Sequence, residues 1–204
     1  MKGKKKAKNL TLISAIISLI AFVYKISLAY LTTSQVLFIA SISTLMVFIC
    51  KVLFVKNVTK TREKKKKAYL IMLISVLIYS LIFIAFVVFK INGIDLSNDK
   101  TYEGIYGTLF ILFLIIIFIL SLIGLKGALN KTDLMVIGLK EMAFISVLAD
   151  SVIIEEFVSR IILEYKNIDV LETINNYYSL GIGILMLFIS ICMLFRFLKY
   201  DKKI

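Results

Sequence analysis

The sequence predicts an all-α integral membrane protein, a six-helix transmembrane bundle with both termini in the cytoplasm. Three observations predict it. The 204 residues are 60% hydrophobic and 12% aromatic, with no Pro, no Trp and only 9 Gly, and the mean hydropathy is +0.96, whereas a soluble domain is nearer half apolar. A hydrocarbon core of about 30 Å takes ~20 residues of helix to cross, and six stretches of about that length or longer occur without the strict alternation of outer-membrane strands. The basic residues gather in alternate connections between those stretches, which is the charge bias of cytoplasmic loops.

The first span, Leu10 to Leu31, follows a start rich in lysine (Lys2, Lys4, Lys5, Lys6, Lys8). Such a start resembles a signal peptide, with Ser27 and Ala29 as a poor cleavage site. Cleavage would remove a span and invert the sign pattern of the loops, so an uncleaved first helix is expected. The second span is Gln35 to Phe54, and eight Lys or Arg lie from Lys51 to Lys67, six of them in "KTREKKKK", which ends in Lys64, Lys65, Lys66 and Lys67. Ala68 to Phe89 is the third span, followed by "KINGIDLSNDKTYEG", with slightly more acid than base. Ile105 to Leu125 is the fourth, and Lys126 and Lys131 follow in "KGALNK". The fifth, Leu134 to Leu163, is apolar except for six charges in "KEMAFISVLADSVIIEEFVSR". If it did not cross, the basic tail "RFLKYDKKI" would face outward against the bias, so it is read as a span. After the mildly acidic "EYKNIDVLETINN" comes the sixth span, Tyr177 to Phe197. The chain thus divides into a basic cytoplasmic N-terminus (1–9), a transmembrane domain (10–197) and a basic tail (198–204), expected in the cell membrane as a multi-pass protein. The largest exposed segments are expected near residues 55–67, 90–104 and 164–176.

The net charge of +12 would suggest nucleic acid in a soluble protein; its distribution here is a topology signal, and no nucleic-acid partner is expected. A sharper reading makes Lys64 to Lys67 a patch for anionic lipid head groups. A homo-oligomer stays open. Cys50 and Cys192 fall inside spans without a CxxC pair and read as small apolar packing residues. There is no His, which removes His-based zinc, haem ligation by His and every Ser-His or Cys-His nucleophile. No Gly-rich phosphate loop occurs; Gly181 and Gly183 are expected to permit close helix contact. The sequons at Asn9 and Asn57 lie on the expected cytoplasmic side and should carry no glycan. No cofactor, metal or catalytic residue is expected, and ligands must bind between helices or at their mouths. No internal repeat is evident, although six helices could hide two inverted halves of three.

Two stretches resemble known families. "EEFVSR", Glu155 to Arg160, resembles the EExxxR motif of the membrane-embedded prenyl-protease-like family. That family pairs its glutamates with histidines on later helices. This chain has no His and one span after the motif, so the resemblance implies an inactive, degenerate relative. "YKISLAYLTTSQVLFIASISTLMVF", Tyr24 to Phe48, is similar to the first two helices of cation diffusion facilitator transporters, and "GLKEMAFISVLAD" to the start of their fifth. The resemblance implies a six-span scaffold with both ends cytoplasmic. It also implies zinc ligands, an acid or His followed four residues later by Asp, on the second and fifth helices. Those positions fall on Ser43 and Val47 and on Ile145 and Ala149, which cannot form the site. The sequence is also expected to lack that family's C-terminal domain, since it stops just after the sixth span. What the resemblance implies is therefore a cation-efflux-like scaffold without zinc transport.

Within the fifth span, Lys140 and Glu141 lie toward the inner boundary and Glu155, Glu156 and Arg160 toward the outer one. Glu156 and Arg160, four apart, are expected to pair locally at that interface. Asp150 is left well inside the hydrocarbon, where a carboxylate needs a partner or a water-filled cavity. Lys25 and Asp150 each lie about 9 Å below the outer ends of their helices by rise per residue, and they are expected to face each other. The candidate polar site is accordingly Asp150, Lys25 and Glu141, with Ser146 and Ser151 as further oxygen donors. Two function classes follow. A transporter-like or ion-handling protein requires a polar path through the bundle near Asp150, Glu141, Ser43 and Lys25. A non-transporting protein that binds a lipid or partner requires a dry bundle with the basic segment as its working surface. An enzyme ranks third, because no nucleophile and base can be paired.

Overall fold

A computed structural model describes residues 2–92, 111–119, 123, 133–166 and 170–201, with side chains at 8–92, 111–119, 123, 133–159 and 173–200. Among them the chain is all-helical, with no strand. The helices are α1 (Lys2–Thr32), α2 (Gln35–Asn57), α3 (Arg62–Ile91), α4 (residues 111–119), α5 (Leu134–Lys166) and α6 (Val170–Asp201). Four stretches, Lys8–Thr32, Gln35–Asn57, Arg62–Ile91 and Thr173–Tyr200, are long and apolar enough to cross a membrane. With 33 residues α5 has the length, but Lys140, Glu141, Asp150, Glu155 and Glu156 keep it out of that group. Of the expected fourth span only 111–119 is described, and it is helical.

Helices extend past the apolar stretches that announce them. The expected exposed segment at 55–67 contracts to residues 58–61, and Lys64 to Lys67 stand on the first turns of α3. Lys, Arg and Glu are good helix formers, and their long side chains reach water from a helix end. Between α5 and α6 only 167–169 intervene, outside the described residues, as do Asp99, Lys126 and Lys131.

The turn from α1 to α2 is built by two residues. Thr33 adopts φ 55°, and the Ser34 N–H donates back to the Ala29 carbonyl at 3.1 Å, the pattern that closes a helix through one left-handed residue. Ser34 then caps α2, its Oγ accepting from the Leu37 N–H at 3.3 Å. The two helices therefore run antiparallel and share a long contact.

The bundle is centred on α2 and α5. The first packs on α1, α3 and α5, the second on α2, α3 and α6, and α3 also packs on α6. Among the described residues the backbones of α1 and α5 do not approach each other closely. Tyr69, Tyr79 and Phe83 of α3, Met142 and Ile153 of α5 and Met193 of α6 are fully buried. Outward faces carry Ile16 and Ile20, Ile78 and Ile82, and Phe188 and Phe195, all exposed, which suits lipid.

Glycine sets two of the approaches. A Cβ at Gly138 would stand 2.7 Å from the Tyr69 ring, and one at Gly183 would stand 2.8 Å from Ile84. Close contact was expected at both Gly181 and Gly183, but Gly181 has nothing within 4 Å.

Candidate functional site: a cavity walled by α1, α2 and α5

Helical spacing places one polar lane on each of three helices. On α1, Thr11, Ser14, Ser18, Ala21 and Lys25 follow one another by three or four residues, and so do Thr44, Val47 and Lys51 on α2 and Lys140, Ala143, Val147 and Asp150 on α5. Residues so spaced share a face. All of them line one cavity of about 510 Å³, which Phe113 and Ile117 of α4 help to close. It fills the space left between α1 and α5.

The ion pair lies at the far end of that cavity. Lys25 Nζ donates to Asp150 Oδ1 at 2.5 Å and to Thr44 Oγ1 at 2.9 Å, and both Lys25 and Asp150 are only 4% exposed. The Lys25 side chain thus spans a gap that the two helix backbones leave open. Beside the pair, Ser43 Oγ and Ser146 Oγ are 3.0 Å apart. Ser43 Oγ also lies 2.6 Å from the Ala40 carbonyl, to which it can donate.

Glu141 does not join this site. It stands nine residues from Asp150, and at about 100° per residue that is half a turn to the opposite face of α5. There it forms an ion pair with Arg196 of α6, and the Tyr69 hydroxyl lies 3.3 Å from its Oε2 and 3.3 Å from the Met193 carbonyl. Ser151 is also elsewhere, donating to the Leu148 carbonyl at 2.7 Å and accepting from Tyr178 at 3.1 Å.

The outer charge cluster is divided in the same way. Glu156 is held by Lys90 of α3 at 2.5 Å, a partner 66 residues away; the expected pairing with Arg160 falls on a side chain outside the described residues. Glu155 Oε1 accepts from Ser159 at 3.0 Å. Of the four lysines at the start of α3, Lys65 pairs with Asp133 at 2.7 Å, Lys66 sits 5.2 Å over the Phe197 ring, and Lys64 and Lys67 are exposed.

At the positions of the cation-efflux ligands, Ser43, Val47, Ile145 and Ala149 are all buried, and Ser43 alone supplies a side-chain oxygen. Zinc favours His, Cys and carboxylate. Cys50 is buried and Cys192 half-buried, both free.

Four residues of the cavity escape a reading built on acids in lipid: Ser14, Ser18, Lys51 and Lys140. Lys51 Nζ donates to the Ser14 carbonyl at 3.0 Å and to Ser18 Oγ at 2.6 Å. The signal available beforehand was the hydroxyl lane on α1, which ends at Lys25. Comparison with protein-family models, curated proteins and solved structures gives no match.

Proposed function

We propose that the protein is a transporter-like, ion-handling protein of the cell membrane, with six spans, both termini cytoplasmic and the α1–α2–α5 cavity as its solute site. One observation carries the reading. The buried Lys25–Asp150 pair lines an open cavity of about 510 Å³ rather than a packed interface, and intramembrane charges on a cavity are where solute paths run. The scaffold is proposed to be cation-efflux-like without zinc transport. Support comes from the packing of α2 on α5, the two helices on which that family places its ligands.

The test is flux into liposomes carrying the purified protein, over a panel of sodium, potassium, proton, zinc, chloride and phosphate. At least one ion other than zinc is expected to move faster than in empty liposomes, and Asp150→Asn to slow it at least tenfold. Background rates for every ion, or zinc flux that Asp150→Asn abolishes, would overturn the reading.

A second reading keeps the protein as a lipid- or partner-binding one, and the exposed Lys64 and Lys67 favour it. Flotation with anionic vesicles, compared between the wild type in detergent and Lys64→Gln/Lys67→Gln, separates the two. The "EEFVSR" reading as an inactive protease relative ranks last, since it rests on six residues in a chain without His.

A further inference from the structure

The walls of the α1–α2–α5 cavity are not balanced in charge. Among the described residues Lys25, Lys51 and Lys140 line it against the one carboxylate of Asp150, and Lys25 is already committed to that carboxylate. Lys51 directs two of its three N–H donors at neutral oxygens, the Ser14 carbonyl and the Ser18 hydroxyl. Lys140, half-buried, has no hydrogen bond or ion pair among the described residues. Both side chains line the same cavity. Two uncompensated cations facing one space inside a membrane protein are costly unless an anion joins them.

Their position narrows the anion. Lys51 and Lys140 lie at the end of the cavity where α1 begins, whereas Asp150 is about 15 Å further along α5 by helix rise, too far to neutralise Lys140 by contact. The donors gathered there are ammonium groups with the Ser14 and Ser18 hydroxyls beside them. Two cations and neighbouring hydroxyls match a group with several oxygens and up to two charges, which a phosphate supplies and a chloride or single carboxylate does not. Deeper in, Ile17, Ala21, Phe113, Ile117 and Val147 offer apolar wall.

We propose that this cavity binds a phosphate group between Lys51 and Lys140, borne either by free phosphate or by a lipid whose chain enters along the apolar wall. The proposal rests on reading the cavity as a working solute site, and it assigns that site a class of ligand.

Binding is measured on the whole chain in maltoside micelles, which carry no phosphate, with two probes, inorganic phosphate and dihexanoyl phosphatidic acid. At least one probe should bind, with Lys51→Gln and Lys140→Gln each weakening it at least tenfold and Lys60→Gln, an exposed turn residue, leaving it within twofold. Binding of phosphate alone assigns a free anion, binding of the phosphatidic acid alone a lipid, and binding of both the shared group. Lys51→Gln removes two bonds to α1, so Lys140→Gln decides the matter if the former does not give a monodisperse peak. Binding of neither probe, or binding that Lys140→Gln leaves within twofold, overturns the proposal. The flux panel tests the underlying reading separately. Lysine-dependent binding without flux of any ion leaves this site standing and removes transport, and flux without phosphate binding does the reverse.

Discussion

A lysine and an aspartate buried to 4% exposure each are tolerable only because they meet. Removing one partner of a buried pair typically costs about 3 to 5 kcal/mol, because the survivor is stranded in low dielectric, while replacing both with apolar groups is often neutral. Lys25→Met and Asp150→Leu should therefore each destabilise the protein by about that much, and the double variant should lose less than the sum of the two. Denaturation of the three variants in detergent micelles reads the coupling, and an additive double variant would contradict the pair. The meeting of these two residues was legible because helix rise gives depth from sequence position alone. Glu141 stands apart from that pair, about half a turn round α5 from Asp150. Its actual partner, Arg196, is 55 residues distant, and nothing in a single chain tells which helix lies beside which face.

The peculiarity of α5 is explained by its neighbours. A helix inside a bundle meets other elements on several sides, and three acids of α5 each find a different one: Asp150 reaches Lys25 of α1, Glu141 reaches Arg196 of α6, and Glu156 reaches Lys90 of α3. Arg196→Met leaves Glu141, which is 4% exposed, without its cation, and should cost about 3 to 5 kcal/mol by the same denaturation measurement. Close packing of α5 on α3 makes a second prediction. Gly138→Ala would drive a methyl to 2.7 Å from the ring of Tyr69, which is wholly buried and has little room to move, so a loss of about 1 to 3 kcal/mol is expected from overpacking. Gly181→Ala, with open space around it, should instead gain up to about 1 kcal/mol from helix propensity. The existence of these helices was plain from hydropathy, whereas their ends were not, because lysine and glutamate extend a helix beyond the apolar run that reveals it.

At the scale of the whole molecule, the two ion pairs between α3 and α5 tie the course of the charged helix to that of α3. Lys65 meets Asp133 where both helices begin, and Lys90 meets Glu156 toward their far ends, so the two helices run in the same direction. From Lys65 to Lys90 is about 37 Å of helix and from Asp133 to Glu156 about 34 Å by rise per residue, each more than a hydrocarbon core of about 30 Å. If α3 spans, α5 spans beside it, and the chain between them must return across the membrane once. With α1 and α2 antiparallel, six crossings put the Lys64 end of α3 on the side of both termini, the side that basic residues select as cytoplasmic. The prediction is tested with single cysteines in a Cys50→Ala/Cys192→Ala background, expressed in intact cells. Asp99→Cys should react with a membrane-impermeant maleimide added outside, and Lys64→Cys should react only after the cells are opened. Labelling of Lys64→Cys in intact cells would invert the orientation, and external labelling at both positions would mean that α3 does not cross.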